Sequence, residues 1–141
     1  MTIKLSSMKT NVAKERDGDW IKSVATPGME WLLRSPHYGP FKRARDLLVQ
    51  KLGRRRGVSS DEDFNERTNR EFGMLYAEHL VLGWRGIDEP YSKELAIEFC
   101  TADDCRLIYD DIMGCANLVG VRELEYVEES AKNSEPRSAT G

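Results

Sequence analysis

Residues 75–99 constrain the fold more than any other segment, because they combine a signal for the end of one helix with a signal for the start of the next. An apolar helical pattern stops at Gly83, and a short turn at Glu89-Pro90 follows. Ser92 is placed to accept a hydrogen bond from the free amides of a second helix. The sequence therefore predicts two helices that meet at a tight elbow. The apolar side chains available to fill the elbow are Trp84, Ile87 and Tyr91.

An N-terminal β-hairpin is predicted at about residues 19–34. Two short segments, 19–24 and 29–34, carry apolar and aromatic residues and flank a Pro-Gly turn. Proline sets the backbone of such a turn and glycine supplies a positive φ. Because an isolated hairpin is only marginally stable in water, we expect Trp20, Val24 and Trp31 to pack against helices.

Apolar residues recur at helical spacing along most of the chain after residue 40. The helical segments that this spacing predicts are about residues 40–53, 60–82, 92–99, 101–120 and 121–128. The predicted fold class is therefore α-rich α+β, a small N-terminal β-hairpin packed on a bundle of about five helices. Residues 1–129 are predicted to form a single globular domain, and residues 130–141 a disordered C-terminal tail.

Composition limits the classes of protein that fit the chain. Its 141 residues suffice for one hydrophobic core, and no apolar run approaches the ~20 residues that span a bilayer. The N-terminus lacks the apolar stretch of a signal peptide, and the three cysteines cannot all pair within one chain. We therefore expect a protein of the reducing cytoplasm that makes no contact with a membrane.

Charge is distributed unevenly along the chain. Residues 1–57 carry 13 Lys or Arg against 5 Asp or Glu, a net +8, whereas residues 58–141 carry 8 against 19, a net −11. Such a split favours either attraction between two parts of one fold or complementary contacts with a neighbouring molecule. The sequence leaves both interpretations open.

No set of residues has the spacing of a catalytic or metal site. The three cysteines and His79 lack the paired spacing of a zinc site, and cysteines among apolar residues are usually small core residues. Within each of the acidic pairs 103–104 and 110–111, the two adjacent side chains point in different directions on a helix, so they do not converge on one atom. We interpret both pairs as part of a solvated acidic face. We therefore expect no enzymatic activity, no cofactor and no metal.

Two groups of residues are candidates for contact with a partner. The basic run at 54–56 has the chemistry to bind phosphates, although a solvated helix end or an acidic protein partner is favoured because the chain as a whole is acidic. Trp84 has two interpretations: it plugs the elbow, or it lies partly exposed as an aromatic anchor. The partner-binding candidates are Trp84, Leu80, Ile87, Tyr91, Arg54, Arg55 and Arg56.

The segment 75–99 resembles the tail assembly chaperones of long-tailed bacteriophages. In that family an apolar helix ends in Gly-Trp-x-Gly, and an aspartate, a short turn and a Tyr-Ser or Tyr-Thr pair follow. The matching residues of this chain are Gly83-Trp84-Arg85-Gly86, Asp88 and Tyr91-Ser92. A weaker similarity lies in the N-terminal half, at Gly18-Asp19-Trp20, Pro27-Gly28-Met29 and Leu33-Arg34-Ser35-Pro36-x-Tyr38, the last of which resembles an Arg-x-x-x-Tyr segment before a basic helix.

This resemblance implies a protein without catalytic residues that binds the long, helical, aggregation-prone tape measure protein. Such a chaperone keeps its partner soluble while tail tube subunits assemble around it. The resemblance also implies action in the cytoplasm of an infected or lysogenic host and absence from the mature virion. Self-association stays open. The alternative functions are a virion head-tail connector and a small nucleic-acid-binding accessory protein. Among the candidate partners, nucleic acid is less favoured than protein.

Overall fold

The computed structural model of the chain describes residues 1–55 and 61–127. These residues belong to two compact units. Val12–Gly120 forms the larger unit, and Met1–Asn11 together with the described residues 121–127 forms the smaller. The candidate contact at Arg56 and the predicted tail at 130–141 lie outside the described residues.

The described residues form five α-helices and three β-strands. The helices are α1 (Val12–Asp17), α2 (Gly39–Arg55), α3 (Asp61–Leu75), α4 (Lys93–Thr101) and α5 (Arg106–Ala116). The strands are β1 (Asp19–Lys22), β2 (Glu30–Leu33) and β3 (Val81–Arg85). A π-helical turn at Tyr76–Leu80 extends α3, and short 3₁₀ turns lie at Leu5–Met8 and Asp103–Cys105. The predicted α-rich α+β class is confirmed.

The three strands form one antiparallel sheet in the order β1-β2-β3. The predicted hairpin is confirmed, since β1 pairs with β2 and places Trp20 opposite Leu32. The other edge of β2 pairs with β3 and places Trp31 opposite Trp84. Alternation along β2 directs Trp31 and Leu33 into the core, as expected for a strand with one fully buried face. The expected burial is wrong for Trp20, which is 38% exposed, and for Val24, which is 77% exposed, because neither side chain is on that face.

The predicted elbow between two helices is wrong, because a strand lies between them. Helical structure ends at Leu80, and the residues expected to finish the helix belong to β3. Of the three residues expected to fill the elbow, Trp84 lies in β3, and Ile87 and Tyr91 lie between β3 and α4. An apolar run of this length fits a buried strand as well as a helix end. Val81 and Trp84 are residue types that favour strands, and the open edge of β2 supplies the pairing partner.

The start of α4 is confirmed and the start of α5 differs from the prediction. Ser92 caps α4, and its side chain accepts a hydrogen bond of 3.1 Å from the amide of Leu95. The helix predicted from residue 101 does not start there, because Thr101 is the last residue of α4 and its hydroxyl donates to the carbonyl of Ile97 at 2.7 Å. A 3₁₀ turn therefore intervenes, and α5 begins at Arg106.

Two further helical predictions need correction. The helix that starts near residue 40 continues past Gly53 to Arg55, since one glycine near a helix end costs only about 1 kcal/mol. The helix predicted at 121–128 is wrong: residues 121–127 are not helical, and Tyr126 forms an isolated β-bridge with Ile3. Helix α1 was missed, because its six residues bury no side chain and show no apolar stripe.

The core of the larger unit lies between the sheet, the π-helical turn and helices α2, α4 and α5. Its most deeply buried side chains include Leu33, Phe41, Leu80, Ile112 and Cys115. Helices α3 and α4 approach closely at Gly73, where an added Cβ would clash with the carbonyl group of Cys100. In the described part of the chain, no helix has the length and apolar character needed to cross a membrane.

The smaller unit is held by backbone hydrogen bonds. The amide of Lys4 donates to the carbonyl of Glu125 at 2.8 Å, and the amide of Val127 donates to the carbonyl of Thr2 at 2.7 Å. Most of its large apolar side chains are exposed to solvent. This unit therefore gains little stability from hydrophobic burial.

Candidate functional site

An apolar groove opens on the larger unit where the β1–β2 turn, the β3–α4 loop, α4 and α5 come together. Its volume is about 330 Å³, near the lower end of the range for ligand sites, roughly 300–1,000 Å³. The lining residues are Ala25, Thr26, Met29, Trp31, Ile87, Asp88, Phe99, Leu107, Ile108 and Asp111. These walls are mainly apolar, and they hold two carboxylates and no cation.

Two glycines bring the β3–α4 loop onto the β1–β2 turn. Gly28 and Gly86 have φ angles of +94° and +93°, which side chains with a Cβ rarely adopt. An added Cβ at Gly86 would also clash with the carbonyl group of Gly28. The second glycine of the Gly-Trp-x-Gly pattern therefore positions one wall of the groove.

Asp111 lies at the base of the groove and accepts four hydrogen bonds from the hairpin. Its Oδ2 accepts from the hydroxyl of Ser23 at 2.5 Å and from the indole Nε1 of Trp31 at 2.7 Å. Its Oδ1 accepts from the backbone amides of Val24 at 3.1 Å and Ala25 at 3.0 Å. A carboxylate offers about four lone-pair positions, so these bonds use its accepting capacity and fasten the hairpin to α5.

The carboxylate of Asp111 is held in its ionised form. Burial raises the pKa of Asp111, but the hydrogen bonds from Ser23, Trp31 and the two backbone amides lower it further, and the folded value lies below the ordinary 3.8. No described Lys or Arg forms an ion pair with it. The groove therefore has a negative charge at its base that hydrogen bonds stabilise and no cation neutralises.

The rim of the groove carries exposed apolar and acidic side chains. Ile87 is 38% exposed on the β3–α4 loop, and Leu107 is 77% exposed at the start of α5. Asp88 lies beside Ile87 and is exposed. Contiguous exposed apolar surface that is rimmed by polar side chains is typical of sites that bind another protein.

Two of the residues predicted to contact a partner belong to the core. Leu80 has no exposed surface, and Trp84 is 7% exposed. The indole Nε1 of Trp84 donates to the carbonyl of Glu89 at 2.8 Å, and its ring lies edge-on to the ring of Tyr91 with centroids 5.1 Å apart. Its burial agrees with the packing interpretation and not with an exposed anchor, although Trp84 belongs to β3 and packs against Trp31, Tyr91 and Phe99 and not inside a helix elbow.

Ile87 and Tyr91 differ in what they offer to a partner. Ile87 lines the groove and reaches the surface. Tyr91 is half-buried, and its hydroxyl donates to the carbonyl of Val81 at 3.2 Å. Of the four apolar candidates, Ile87 is the one that the structure places in the groove.

Of the basic run at 54–56, the two described residues, Arg54 and Arg55, do not line the groove. Arg54 is exposed at the end of α2. Arg55 is partly buried, and its Nη1 donates to both carboxylate oxygens of Glu71 at 3.0 Å, which ties α2 to α3. These adjacent arginines therefore have different roles, and of the two described residues Arg54 is the more accessible to a partner.

The described residues contain no group of three His, Cys, Asp or Glu side chains that is arranged to hold a metal ion. Burial raises the pKa of all three cysteine thiols, that of Cys100 to about 12, so they are protonated at neutral pH. His79 lies with its ring centroid 6.4 Å from that of Phe41. In this arrangement these side chains pack with their neighbours.

Asp111 is the site residue that the sequence interpretation missed. Placing both acidic pairs on a solvated face is wrong for Asp111, which is buried, and right for Asp110, which is exposed. Helical spacing is the sequence feature that indicates the burial of Asp111, because this residue follows Ile108 by three positions and precedes Cys115 by four. An acidic residue on that apolar stripe is buried with it and needs hydrogen-bond donors.

The chain was also compared with known proteins. No curated protein and no solved structure matches it. A family model described as "YdaY prophage protein" matches residues 35–133, and this range includes β3, α4, α5 and the motif that resembles tail assembly chaperones. Because the match covers 99 of the 141 residues, the chain belongs to the YdaY prophage protein family.

Proposed function

We propose that this protein is a tail assembly chaperone, which binds the tape measure protein, keeps it soluble and helps to recruit tail tube subunits. It acts in the host cytoplasm, stays out of the mature virion, and uses neither a cofactor nor catalysis. Membership of a prophage family agrees with a role in a phage. The Gly83-Trp84-Arg85-Gly86 pattern and the Tyr91-Ser92 pair connect the chain to chaperones in particular.

The observation that carries the proposal is the apolar groove next to this motif. A chaperone of a long helical protein must cover apolar faces of helices before those faces are buried in the tail. Amphipathic helices bind in apolar grooves through side chains spaced three or four residues apart. The groove between Ile87 and Leu107 provides such a surface on a small protein.

Co-expression tests the proposal. The tape measure protein encoded by the same prophage is produced with and without this chain, and the soluble fraction of the tape measure protein is measured. We expect the wild-type chain to raise the soluble fraction severalfold. We expect Leu107→Asp to remove most of that effect, because it places a charge at the rim of the groove.

Leu47→Asp is the matched control. Leu47 is 66% exposed on α2 and does not line the groove, so its substitution changes an equally accessible leucine elsewhere. If Leu47→Asp abolishes solubilisation and Leu107→Asp does not, the contact lies on α2. A wild-type chain that leaves the tape measure protein insoluble contradicts the chaperone proposal.

A basic surface on α2 supports nucleic-acid binding as a second candidate function. Lys42, Arg43 and Arg54 are exposed there and form no ion pair with a described residue. A mobility shift with DNA and RNA at about 50 mM and about 200 mM salt tests it, because contacts with a few phosphates weaken steeply over that range. Binding that persists at the higher salt concentration would favour this second function.

A further inference from the structure

The charges in the groove have a single sign. Asp88 and Asp111 are the two ionisable residues that line it. Arg106 on α5 lines a different depression with Arg70 and Asp110. No cation therefore balances the two carboxylates within the groove, although the surrounding walls are apolar.

The two carboxylates act on a ligand in different ways. The hydrogen bonds of Asp111 occupy its lone pairs, so its charge attracts a cation through space without a direct bond. Asp88 forms no hydrogen bond or ion pair with a described residue and is exposed at the rim. It is therefore free to accept hydrogen bonds from a Lys or Arg of a partner.

The apolar walls also suit a basic side chain. Lysine and arginine bury their aliphatic stems on apolar surfaces while the charged ends reach polar groups. Phe99 and Ile108 provide apolar surface for the stem, and Asp88 lies in the same lining for the charged end. Ile87 and Leu107 frame the opening and provide contacts for apolar side chains on the same partner helix.

We propose that the groove binds a basic amphipathic helix, one that inserts apolar side chains between Ile87 and Leu107 and presents a flanking Lys or Arg to Asp88. This inference rests on the proposed function, because it names the kind of tape measure segment that the chaperone selects. It predicts selection by charge: segments with an acidic flank on the same apolar stripe are rejected. Like charges across an interface weaken binding and opposite charges speed encounter.

Two synthetic peptides test this selectivity on the full-length protein. Both are labelled helical peptides of about 18 residues with the same leucine stripe. One carries lysines on the flanks of the stripe and the other carries glutamates. We expect the lysine peptide to bind about tenfold more tightly at low ionic strength, and the difference to shrink at about 0.5 M salt, where exposed charges are screened.

Two variants test whether Asp88 is the residue that contacts the charged flank of the peptide. Asp88→Lys is expected to reduce the preference for the lysine peptide about fivefold or more, because it reverses the charge that contacts the flank. Asp110→Lys is the control, since Asp110 is exposed on α5 and lines the other depression. We expect that variant to keep most of the preference. Both variants change exposed residues, and circular dichroism verifies that they fold.

The outcomes distinguish a failure of the basic-helix inference from a failure of the chaperone proposal. Equal binding of both peptides, no binding of either, or a preference that Asp88→Lys leaves unchanged overturns the basic-helix inference. None of these results affects the co-expression test of the chaperone proposal. If the wild type prefers the lysine peptide and Asp88→Lys removes the preference while the tape measure protein stays insoluble, the inference stands and the proposed function fails.

Discussion

The indole nitrogen of Trp31 donates a hydrogen bond of 2.7 Å to Asp111, and these two residues are 80 positions apart in the chain. The bond joins the central strand of the sheet to the last helix of the larger unit. Apolar packing is tolerant of small rotations, whereas a buried charged hydrogen bond is directional and fails when its geometry is lost. This contact therefore fixes how α5 lies on the sheet.

Asp111→Asn is expected to destabilise the fold by about 3 kcal/mol. In asparagine an NH₂ group, which is a donor, replaces one of the two carboxylate oxygens. At least one buried N–H or O–H that bonds to Asp111 therefore loses its acceptor. The melting temperature is expected to fall by roughly 10 °C. Asp110→Asn, an exposed neighbour on the same helix, is the control and is expected to melt like the wild type.

The stability supplied by Asp111 depends on pH in a defined direction. Its folded pKa is lower than the ordinary 3.8 because the hydrogen bonds outweigh the effect of burial. The contribution is therefore fully present above the unfolded pKa and is lost as the pH falls through the folded pKa. Urea denaturation of the wild type and of Asp111→Asn is expected to show a full difference at about pH 6 and a smaller one at about pH 2.5. A difference that stays constant contradicts this account.

Trp84→Ala is expected to cost about 3–4 kcal/mol, because a large buried side chain is replaced by a cavity. Trp20→Ala is the matched control: Trp20 is partly exposed on the sheet and stacks with Arg85. Thermal melts of both variants compare the loss in melting temperature at the buried position with that at the partly exposed one. If Trp84→Ala melts like the wild type but no longer solubilises a tape measure fragment, the tryptophan is a binding anchor.

Gly73→Ala is expected to destabilise the protein by about 2 kcal/mol or more, because the added Cβ would clash with the carbonyl group of Cys100 where α3 and α4 cross. Gly114→Ala is the matched control in α5. Nothing lies within 4 Å of an added Cβ at that position, so it is expected to be neutral or to stabilise by up to about 1 kcal/mol. Opposite signs for the two substitutions in a denaturation series would support the close approach of the helices.

Arg55→Ala is expected to cost about 1 kcal/mol, since it removes a two-oxygen contact with Glu71 that is only partly accessible to solvent. Arg54→Ala is expected to change stability by less than about 0.5 kcal/mol, because Arg54 is exposed. Urea titrations of both variants separate the roles of these adjacent residues. Equal costs would show that the ion pair with Glu71 is not what makes position 55 different.

Local signals predicted the elements whose determinants lie close together in sequence. The hairpin at 19–34 has its own turn residues, and Ser92 caps α4 with its own side chain. β3 was not predictable in this way, because a strand needs a partner and the partner edge is contributed by β2. Residues 81–84 are apolar in the sequence, and pairing with β2 makes Val81–Arg85 a strand.

The groove was predictable only in part. Ile87 was nominated as an apolar residue near a turn, and it does lie at the rim. Its position against the β1–β2 turn depends on Gly28 and Gly86, which meet across more than fifty residues of sequence. Asp111 was readable from helical spacing as a buried position. Its hydrogen-bond donors, however, come from a hairpin turn that no local pattern relates to α5.

The late position of β3 in the chain has a consequence for synthesis. Residues 34–80, a stretch of 47 residues that includes α2 and α3, separate β2 from β3. A ribosome that adds about 5–20 residues per second leaves roughly 2–10 seconds between the emergence of the two strands. During that interval the free edge of β2 is open to pairing with other nascent chains. The order in which the strands are made therefore sets the moment at which this protein is most prone to misassembly.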